Sequence, residues 1–98
     1  MEFIVRKQTQ DTARLFGMYD RGVVAPGYKA DLNVIDYDKL RVLPPQIVHD
    51  LPGGAKRLIQ RSEGYVATIV AGQTVLRDGE PTGARPGRVV RGEQPAPA

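Results

Sequence analysis

Two segments of the chain carry the apolar and polar patterns that are typical of β-strands. In residues 30–35 (ADLNVI), apolar and polar residues alternate until Ile35 breaks the pattern. This period-two alternation predicts a half-buried strand, and Ile35 indicates that its second face is partly covered. Residues 65–70 (YVATIV) are apolar on both faces and rich in β-branched side chains, which predicts a central strand.

Turn-forming residues separate these strands. Pro26-Gly27 suits the central positions of a type II turn, because Pro fixes φ near about −65° and Gly accepts positive φ. Ala71-Gly72 predicts a hairpin from residues 65–70 into residues 74–77, and Asp78-Gly79 predicts the next reversal. Residues 36–39 and 85–87 are further predicted turns, and residues 40–43 and 89–90 are predicted extended segments.

The rest of the chain divides into a helical start, an irregular middle and a tail. Residues 2–8 predict the end of a helix, and residues 11–16 predict a short helix that Thr9 or Asp11 caps and Gly17 ends. Residues 44–64 are divided by Pro and Gly, which predicts an irregular excursion packed on something else. Residues 92–98 have nothing to bury and predict a disordered tail. The expected organisation is therefore α+β and mainly β, with a helical segment at 1–19, a β portion at 20–91 and a tail at 92–98.

Composition fits one small folded domain. A chain of 98 residues is expected to bury roughly two-thirds of its unfolded surface. No apolar run approaches the ~20 residues that span a bilayer, so no membrane partner is expected. The first residues lack the pattern of a secretory signal, and a chain without Cys forms no disulfide framework. These features predict a cytoplasmic location.

The net charge of +3 comes with two basic clusters. Acidic residues interleave through most of the chain, and no signature of a nucleic-acid-binding fold is present. A solvated or interdomain surface is therefore favoured over binding to nucleic acid. The clusters are Lys56, Arg57 and Arg61, and Arg85, Arg88 and Arg91.

The residue types needed for catalysis are scarce. The single His49 lies beside Asp50, and neighbours on an extended segment point to opposite sides, whereas a catalytic zinc site commonly needs three protein ligands. The single Ser62 has no accompanying His and no Gly-x-Ser-x-Gly turn. Residues 53–57 (GGAKR) precede Leu58 where a phosphate loop needs Ser or Thr. We therefore expect no catalytic, cofactor-binding or metal-binding residue in this chain.

Four tyrosines lie in or beside predicted turns and could suggest a stacking platform. Partly buried side chains with a solvated hydroxyl are the favoured interpretation. They are Tyr19, Tyr28, Tyr37 and Tyr65.

Two adjoining segments resemble the region after the last barrel strands in the amidohydrolase superfamily. TQDTARLFG at residues 9–17 and DRGVVAPGYKADLNVID at residues 20–36 are similar to a T-x-x-P-A-r-x-x-G helix followed by G-x-x-x-P-G-x-x-A-D-l-x-v-x-d. Thr12 stands where the family usually has Pro. Other segments resemble the C-terminus of the N-acyl-D-amino-acid deacylase (D-aminoacylase) branch, namely residues 49–52, 57–60, 64–65, 68–72 and 78–83.

The resemblance implies a (β/α)₈ (TIM) barrel flanked by a small composite β-sandwich that both chain ends build. Residues 1–19 would end the last barrel helix, and residues 20–91 would form part of the sandwich, without its N-terminal strands and without the barrel. The family's metal ligands are a His-x-His pair, later histidines, a bridging Lys, Cys or Glu, and an Asp. All would precede Met1, so zinc or another divalent metal is expected in the parent enzyme and not in this chain.

These observations favour one function and leave a second open. The chain is expected to be the non-catalytic C-terminal portion of a metal-dependent amidohydrolase, acting on N-acyl-D-amino acids, with the missing N-terminal part as its partner. The alternative is an independent β-rich module for protein interaction or self-association. Unpaired strand edges invite strand addition, so a homo-oligomer would fit that alternative.

Overall fold

A computed structural model describes all 98 residues, and its N-terminal segment is one continuous helix. Helix α1 (Glu2–Arg6) passes through a π-helical turn (Lys7–Asp11) into helix α2 (Thr12–Leu15). The predicted break and cap before residue 11 are wrong, because Asp11 has helical backbone angles and caps nothing. Thr9 instead donates its hydroxyl to the carbonyl of Val5 at 2.7 Å, within the helix. Gly17 ends the helical segment with φ +70°, as predicted.

Four antiparallel strands form the main sheet. They are β1 (Leu32–Ile35), β6 (Tyr65–Val70), β7 (Gln73–Arg77) and β8 (Glu80–Pro81), in the order β1-β6-β7-β8. This confirms the predicted strand at residues 30–35, shortened at its start, and the central position of residues 65–70. Leu32 lies opposite Ile69 and Val34 opposite Ala67, so these four apolar side chains share one face of the sheet.

Two-residue turns connect β6 to β7 and β7 to β8, as predicted. Both residues of each turn have positive φ: +49° and +78° at Ala71 and Gly72, and +50° and +81° at Asp78 and Gly79. These values are those of type I′ turns, whose twist matches that of the flanking strands. The Pro26-Gly27 turn is also present, since Gly27 has φ +87° and the Tyr28 amide donates to the Ala25 carbonyl at 3.2 Å.

Residues 41–63 form a two-stranded β-ribbon, hereafter the ribbon, where residues 44–64 were expected to be irregular. Its strands are β2 (Arg41–Val42), β3 (Gln46–Val48), β4 (Arg57–Ile59) and β5 (Ser62–Glu63); β2 pairs with β5, and β3 with β4. The Leu43 amide donates to the Arg61 carbonyl at 2.9 Å and continues the ladder between the two pairs. Pro44 and Pro45 interrupt that ladder only locally, because they lack an N–H but the β-branched residues beyond them resume pairing.

The C-terminal segment departs from prediction in two places. Residues 89–90 form no strand. The tail, expected to be disordered, returns to the end of the helix: the Gln94 amide donates to the Gly17 carbonyl, and the Tyr19 amide to the Gln94 carbonyl, each at 2.9 Å. Backbone groups beyond the helix end need partners, and the tail supplies them.

The chain has almost no core of its own. Ala67 is the single buried residue, and the accessible surface is 8069 Å². A folded monomer of 10.7 kDa exposes about 5,500 Å², so about 2,500 Å² is in excess and only about half of the unfolded surface is buried. The expected two-thirds is therefore wrong for the chain alone. Large apolar side chains remain open on the helix, the main sheet and the ribbon, among them Phe3, Leu15, Phe16, Val34, Ile35, Val42, Ile47 and Leu58.

The overall dimensions agree with this open structure. The Cα radius of gyration is 15.9 Å, whereas a compact domain of this length has about 12.6 Å. None of the helices combines the length and the apolar character of a membrane-spanning segment.

Gly64 joins the base of the ribbon to the main sheet, and its substitution tests how closely the chain packs there. It has φ +96°, and a Cβ there would lie 2.6 Å from Cα of Leu40. We expect Gly64→Ala to lower the free energy of unfolding by more than the ~1–2 kcal/mol that a left-handed backbone costs an L-residue, measured by urea denaturation. Gly83→Ala is the matched control, because Gly83 has φ +89° but nothing within 4 Å of the added Cβ. Equal losses in both variants would contradict the close packing at Gly64.

Candidate functional site

The most organised polar cluster lies at the loop before β1, and we call it the Asp31 clamp: the side chains of Asp20, Arg21 and Asp31 with the backbone of the β6–β7 turn. Arg21 donates from Nε to Oδ1 of Asp20 at 2.8 Å and from Nη2 to Oδ2 at 3.2 Å. Its Nη1 also lies 3.9 Å from Oδ2 of Asp31. These three side chains are 16–35% exposed, so the ion pairs are partly screened from water.

Asp31 connects this loop to the far end of the sequence. Its Oδ1 accepts a hydrogen bond from the Ala71 amide at 2.9 Å, and the neighbouring Ala30 carbonyl accepts one from Gly72 at 3.0 Å. Both donors lie in the type I′ turn, where Ala71 adopts a positive φ that L-residues disfavour. The two bonds therefore hold a strained turn against the start of β1.

The loop itself is closed and packed on the helix. The Lys29 amide donates to the Asp20 carbonyl at 2.8 Å, which closes residues 20–29. Gly22 has φ +85°, and a Cβ there would lie 2.9 Å from the Thr9 carbonyl oxygen. Only glycine permits that approach, so the D-R-G and A-D parts of the motif have structural roles here.

Electrostatics in the clamp follow from the paired side chains. Hydrogen bonds from Arg21 hold the pKa of Asp20 below its usual value, and partial desolvation opposes this shift. The same bonds raise the pKa of Arg21. Both groups are therefore ionised at neutral pH, and neither is poised to exchange a proton.

The residues that the sequence singled out for possible chemistry are dispersed along the ribbon. Asp50 follows β3 and accepts two hydrogen bonds from Arg57, at 2.7 Å from Nε and 2.6 Å from Nη2, which lower the pKa of Asp50. Its carboxylate is thus engaged across the ribbon rather than available beside His49. Ser62 lies opposite Val42 in the β2–β5 pair.

Other candidates also have local structural roles. Gly53 and Gly54 have φ +73° and +70° at the tip of the ribbon, which is a turn rather than a phosphate loop. No group of three or more His, Cys, Asp or Glu side chains is placed to hold a metal ion. Of the tyrosines, Tyr28 is half-buried as expected, but Tyr37 is 67% exposed and does not fit that expectation.

The basic clusters are only partly free. Arg57 is paired with Asp50, and Arg61 lies 3.9 Å from Glu80. Lys56 lies at the tip of the ribbon, between Gly54 and Arg57. Arg85, Arg88 and Arg91 lie in the segment after β8, which has no regular secondary structure.

Sequence reasoning missed a groove between the ribbon and the main sheet. It encloses about 390 Å³ and is lined by apolar, hydroxyl and charged side chains, the charged ones being Arg61, Asp78 and Glu80. Pairing of the ribbon strands creates it, and only the spacing of apolar residues around Pro44-Pro45 could have indicated that pairing. The other lining residues include Leu43, Tyr65, Thr68 and Leu76.

Comparison with known proteins gives one family. The model described as Amidohydrolase family matches residues 1–76. The dihydroorotase of Methanothermobacter thermautotrophicus is 33% identical over 78 residues, which are 79% of this chain and 18% of that protein. No solved structure matches.

Two shorter matches are to deaminases. The 5-methylthioadenosine/S-adenosylhomocysteine deaminase of Desulfitobacterium hafniense is 46% identical over 41 residues, 42% of this chain and 10% of the relative. The adenine deaminase of Brucella abortus is 54% identical over 33 residues, 34% of this chain and 6% of the relative. The chain thus spans less than a fifth of the length of these relatives.

Removing the Asp31 carboxylate tests the clamp. We expect Asp31→Ala to lower the free energy of unfolding by about 0.5–1.5 kcal/mol, the net contribution of a typical hydrogen bond, and to speed hydrogen exchange at the Ala71 amide. Asp38→Ala removes an exposed carboxylate three residues beyond β1 that makes no ion pair and is the control. Unchanged exchange at Ala71 in Asp31→Ala would contradict the clamp.

The pH dependence of stability tests the Asp20–Arg21 pair. Because the pKa of Asp20 is lower in the folded chain than its ordinary 3.8, its contribution is present above that value and is lost as pH falls through the folded pKa. We expect Asp20→Asn to flatten the acid limb of stability below about pH 4, measured by thermal melting at a series of pH values. Asp38→Asn should keep the wild-type limb, and an equal flattening there would contradict the assignment.

Proposed function

Because this chain belongs to the amidohydrolase family, we propose that it is the non-catalytic C-terminal portion of a metal-dependent amidohydrolase. The observation that carries the proposal is the near absence of a core: one residue of 98 is buried. Exposed apolar side chains are spread over the helix, the sheet and the ribbon rather than gathered in one patch. A surrounding body of polypeptide covers such a distribution better than one flat partner does.

The motif residues support a structural role for the chain. The clamp side chains are engaged within the chain: Arg21 pairs with Asp20 and lies near Asp31, and Asp31 also accepts a hydrogen bond from the β6–β7 turn. The most conspicuous polar residues thus hold a loop, a helix and a hairpin together. Such a unit fits a support that is built beside a catalytic barrel.

The family implies a divalent metal, and the residues of this chain do not fit one. Asp50 is held by Arg57, the chain has a single His, and no cluster of ligands is present. The metal, zinc or another divalent ion, would therefore be held by polypeptide outside this chain.

The proposed substrate class is N-acyl-D-amino acids, hydrolysed at the amide bond. It rests on the resemblance of residues 49–52, 57–60 and 78–83 to the D-aminoacylase branch. The relatives are a dihydroorotase and two kinds of deaminase, so stretches of this chain are common to enzymes with different names. That distribution supports a scaffold role more strongly than it supports any one substrate.

Self-association is a second candidate, and the open edge of β1 favours it. Strand β1 has a neighbour on one side only, and unpaired edges accept strands from other chains. This candidate needs no enzyme activity.

Turnover assays test the proposed function. We expect the 98-residue chain with added zinc to give no hydrolysis of N-acetyl-D-amino acids, and His49→Ala to behave identically. A polypeptide extended upstream of Met1 in the same reading frame should contain a His-x-His pair and should hydrolyse N-acetyl-D-amino acids when loaded with zinc. Turnover by the chain alone that His49→Ala abolishes would overturn the non-catalytic role. Activity of the extended polypeptide on adenine or dihydroorotate instead would overturn the substrate class and leave the scaffold role standing.

A further inference from the structure

Residues 94–97 (QPAP) return to the end of the helix, and we call them the strap. Gln94 forms a parallel β-bridge with Met18. The Gln94 amide donates to the Gly17 carbonyl, and the Gln94 carbonyl accepts from the Tyr19 amide, each at 2.9 Å. Backbone hydrogen bonds therefore hold the first residue of the strap.

The other end of the strap lies against the turn at Gly27. A Cβ on Gly27 would lie 2.9 Å from Cβ of Pro97, so the missing side chain lets Pro97 approach. Between the two ends, Ala96 lines a small cavity of about 70 Å³ together with two tyrosines. The surface that the strap contacts, hereafter the strap site, consists of residues 17–19, Gly27 and Tyr28.

The burial pattern along the strap is that of a polyproline II segment. Gln94 and Pro97 are half-buried, whereas Pro95 and Ala96 between them are exposed. Positions three residues apart share a face in polyproline II, and each Pro fixes its φ near about −65°. Such segments lose little entropy on docking, and they bind surfaces that aromatic side chains line. Tyr19 and Tyr28 supply that lining here.

The Gln94 side chain fixes the turn that brings the strap to its site. Its Nε2 lies 3.3–3.4 Å from the carbonyl oxygens of Arg91, Gly92 and Glu93, and an amide NH₂ group has two protons to share among them. Gly92 has φ +70°, so the chain turns there. Gln94 thus supplies both the turn contacts and the backbone hydrogen bonds.

The strap also contacts the loop that carries the clamp. Arg21 lines the same cavity as Ala96, and it pairs with Asp20. The Asp20 carbonyl in turn accepts from the Lys29 amide, which closes the loop. The strap therefore meets this loop at two places, beneath Ala96 and at Gly27, while Gln94 bonds the helix end.

We propose that the strap site recognises a Gln-Pro-x-Pro segment, that the chain fills it with its own residues 94–97, and that the docked strap restrains the loop of residues 20–29 against the helix end. Every contact in this proposal lies within the chain. The proposal goes beyond the proposed function and does not rest on it. Its tests measure hydrogen exchange and peptide binding rather than turnover.

Replacing Gln94 by Pro tests the strap without shortening the chain, because Pro has no N–H to donate to Gly17 and no side-chain amide. We expect Gln94→Pro to speed hydrogen exchange at the Tyr19 amide about tenfold or more, since its acceptor moves away. Exchange at the Lys29 amide should rise several-fold, because the loop loses its restraint. An unprotected Tyr19 amide in the wild-type chain, or an unchanged Lys29 rate in the variant, would overturn the proposal.

Two controls separate release of the strap from general loosening. The Asp78 amide, which donates to the Val66 carbonyl in the main sheet at 2.9 Å, should keep its exchange rate in Gln94→Pro. Arg91→Pro changes the same segment at a residue whose amide donates no hydrogen bond, and should leave Tyr19 protected. Equal acceleration at Tyr19 in the two variants would contradict the role of Gln94.

A milder variant, Pro97→Gly, keeps the backbone hydrogen bonds of Gln94 and loses the contact at Gly27. We expect it to speed exchange at Lys29 by a larger factor than at Tyr19. The opposite order would overturn the restraint of the loop by the strap.

A peptide with the sequence of residues 92–98 (GEQPAPA) tests recognition at the strap site. A tethered segment has an effective concentration of about millimolar, so the peptide is needed at that level. In the Gln94→Pro chain, we expect it to slow exchange at Tyr19 and to shift the NMR resonances of Tyr28. The same peptide carrying Gln94→Pro is the control and should do neither. Equal effects of the two peptides, or no effect of GEQPAPA at about 10 mM, would overturn the recognition.

Discussion

The hydrogen bond from the Ala71 amide to the Asp31 carboxylate links residues 40 positions apart, and the connection between the loop on the helix and the main sheet depends on it. On one side it fixes the loop that carries Asp20 and Arg21 and that packs through Gly22 on the helix. On the other it fixes the turn that joins the two longest strands. A chain with a single buried residue cannot rely on apolar packing for this connection. A partly screened, charge-assisted hydrogen bond takes over part of that role.

The shortage of buried surface also bears on the function of the chain. Apolar side chains that would form a core lie open on several elements, while the charged side chains of the clamp are paired with one another. Catalysis needs the opposite arrangement, in which a desolvated pocket surrounds groups that are free to exchange protons or bind a metal. The proposed supporting role rests on this difference, and membership of the amidohydrolase family accounts for the motif that builds the clamp.

The turns and the end of the helix could be predicted from the sequence, because they depend on the conformational preferences of single residues. The Pro26-Gly27 turn, the hairpin at Ala71-Gly72 and the end of the helix at Gly17 follow from φ preferences of single residues. The ribbon was missed because Pro44 and Pro45 mark a break locally, whereas the pairing of Ile47 with Leu58 is decided by residues farther along the chain. The docked tail was missed for the same reason, since Gln94 pairs with residues about 75 positions earlier. The clamp could be recognised as a motif, but its role could not, because nothing local in Asp31 indicates Ala71 as its partner.

The ribbon is attached to the rest of the molecule mainly at its base, where Gly64 passes close to Leu40. Its outer pair of strands, β3 and β4, contacts little beyond itself. Such an appendage can be lengthened or trimmed by two residues in each strand at a time, since this change moves the tip and keeps every side chain on its face. Changes in the length of this appendage can therefore leave the geometry of the sheet and of the loop beneath it unaltered.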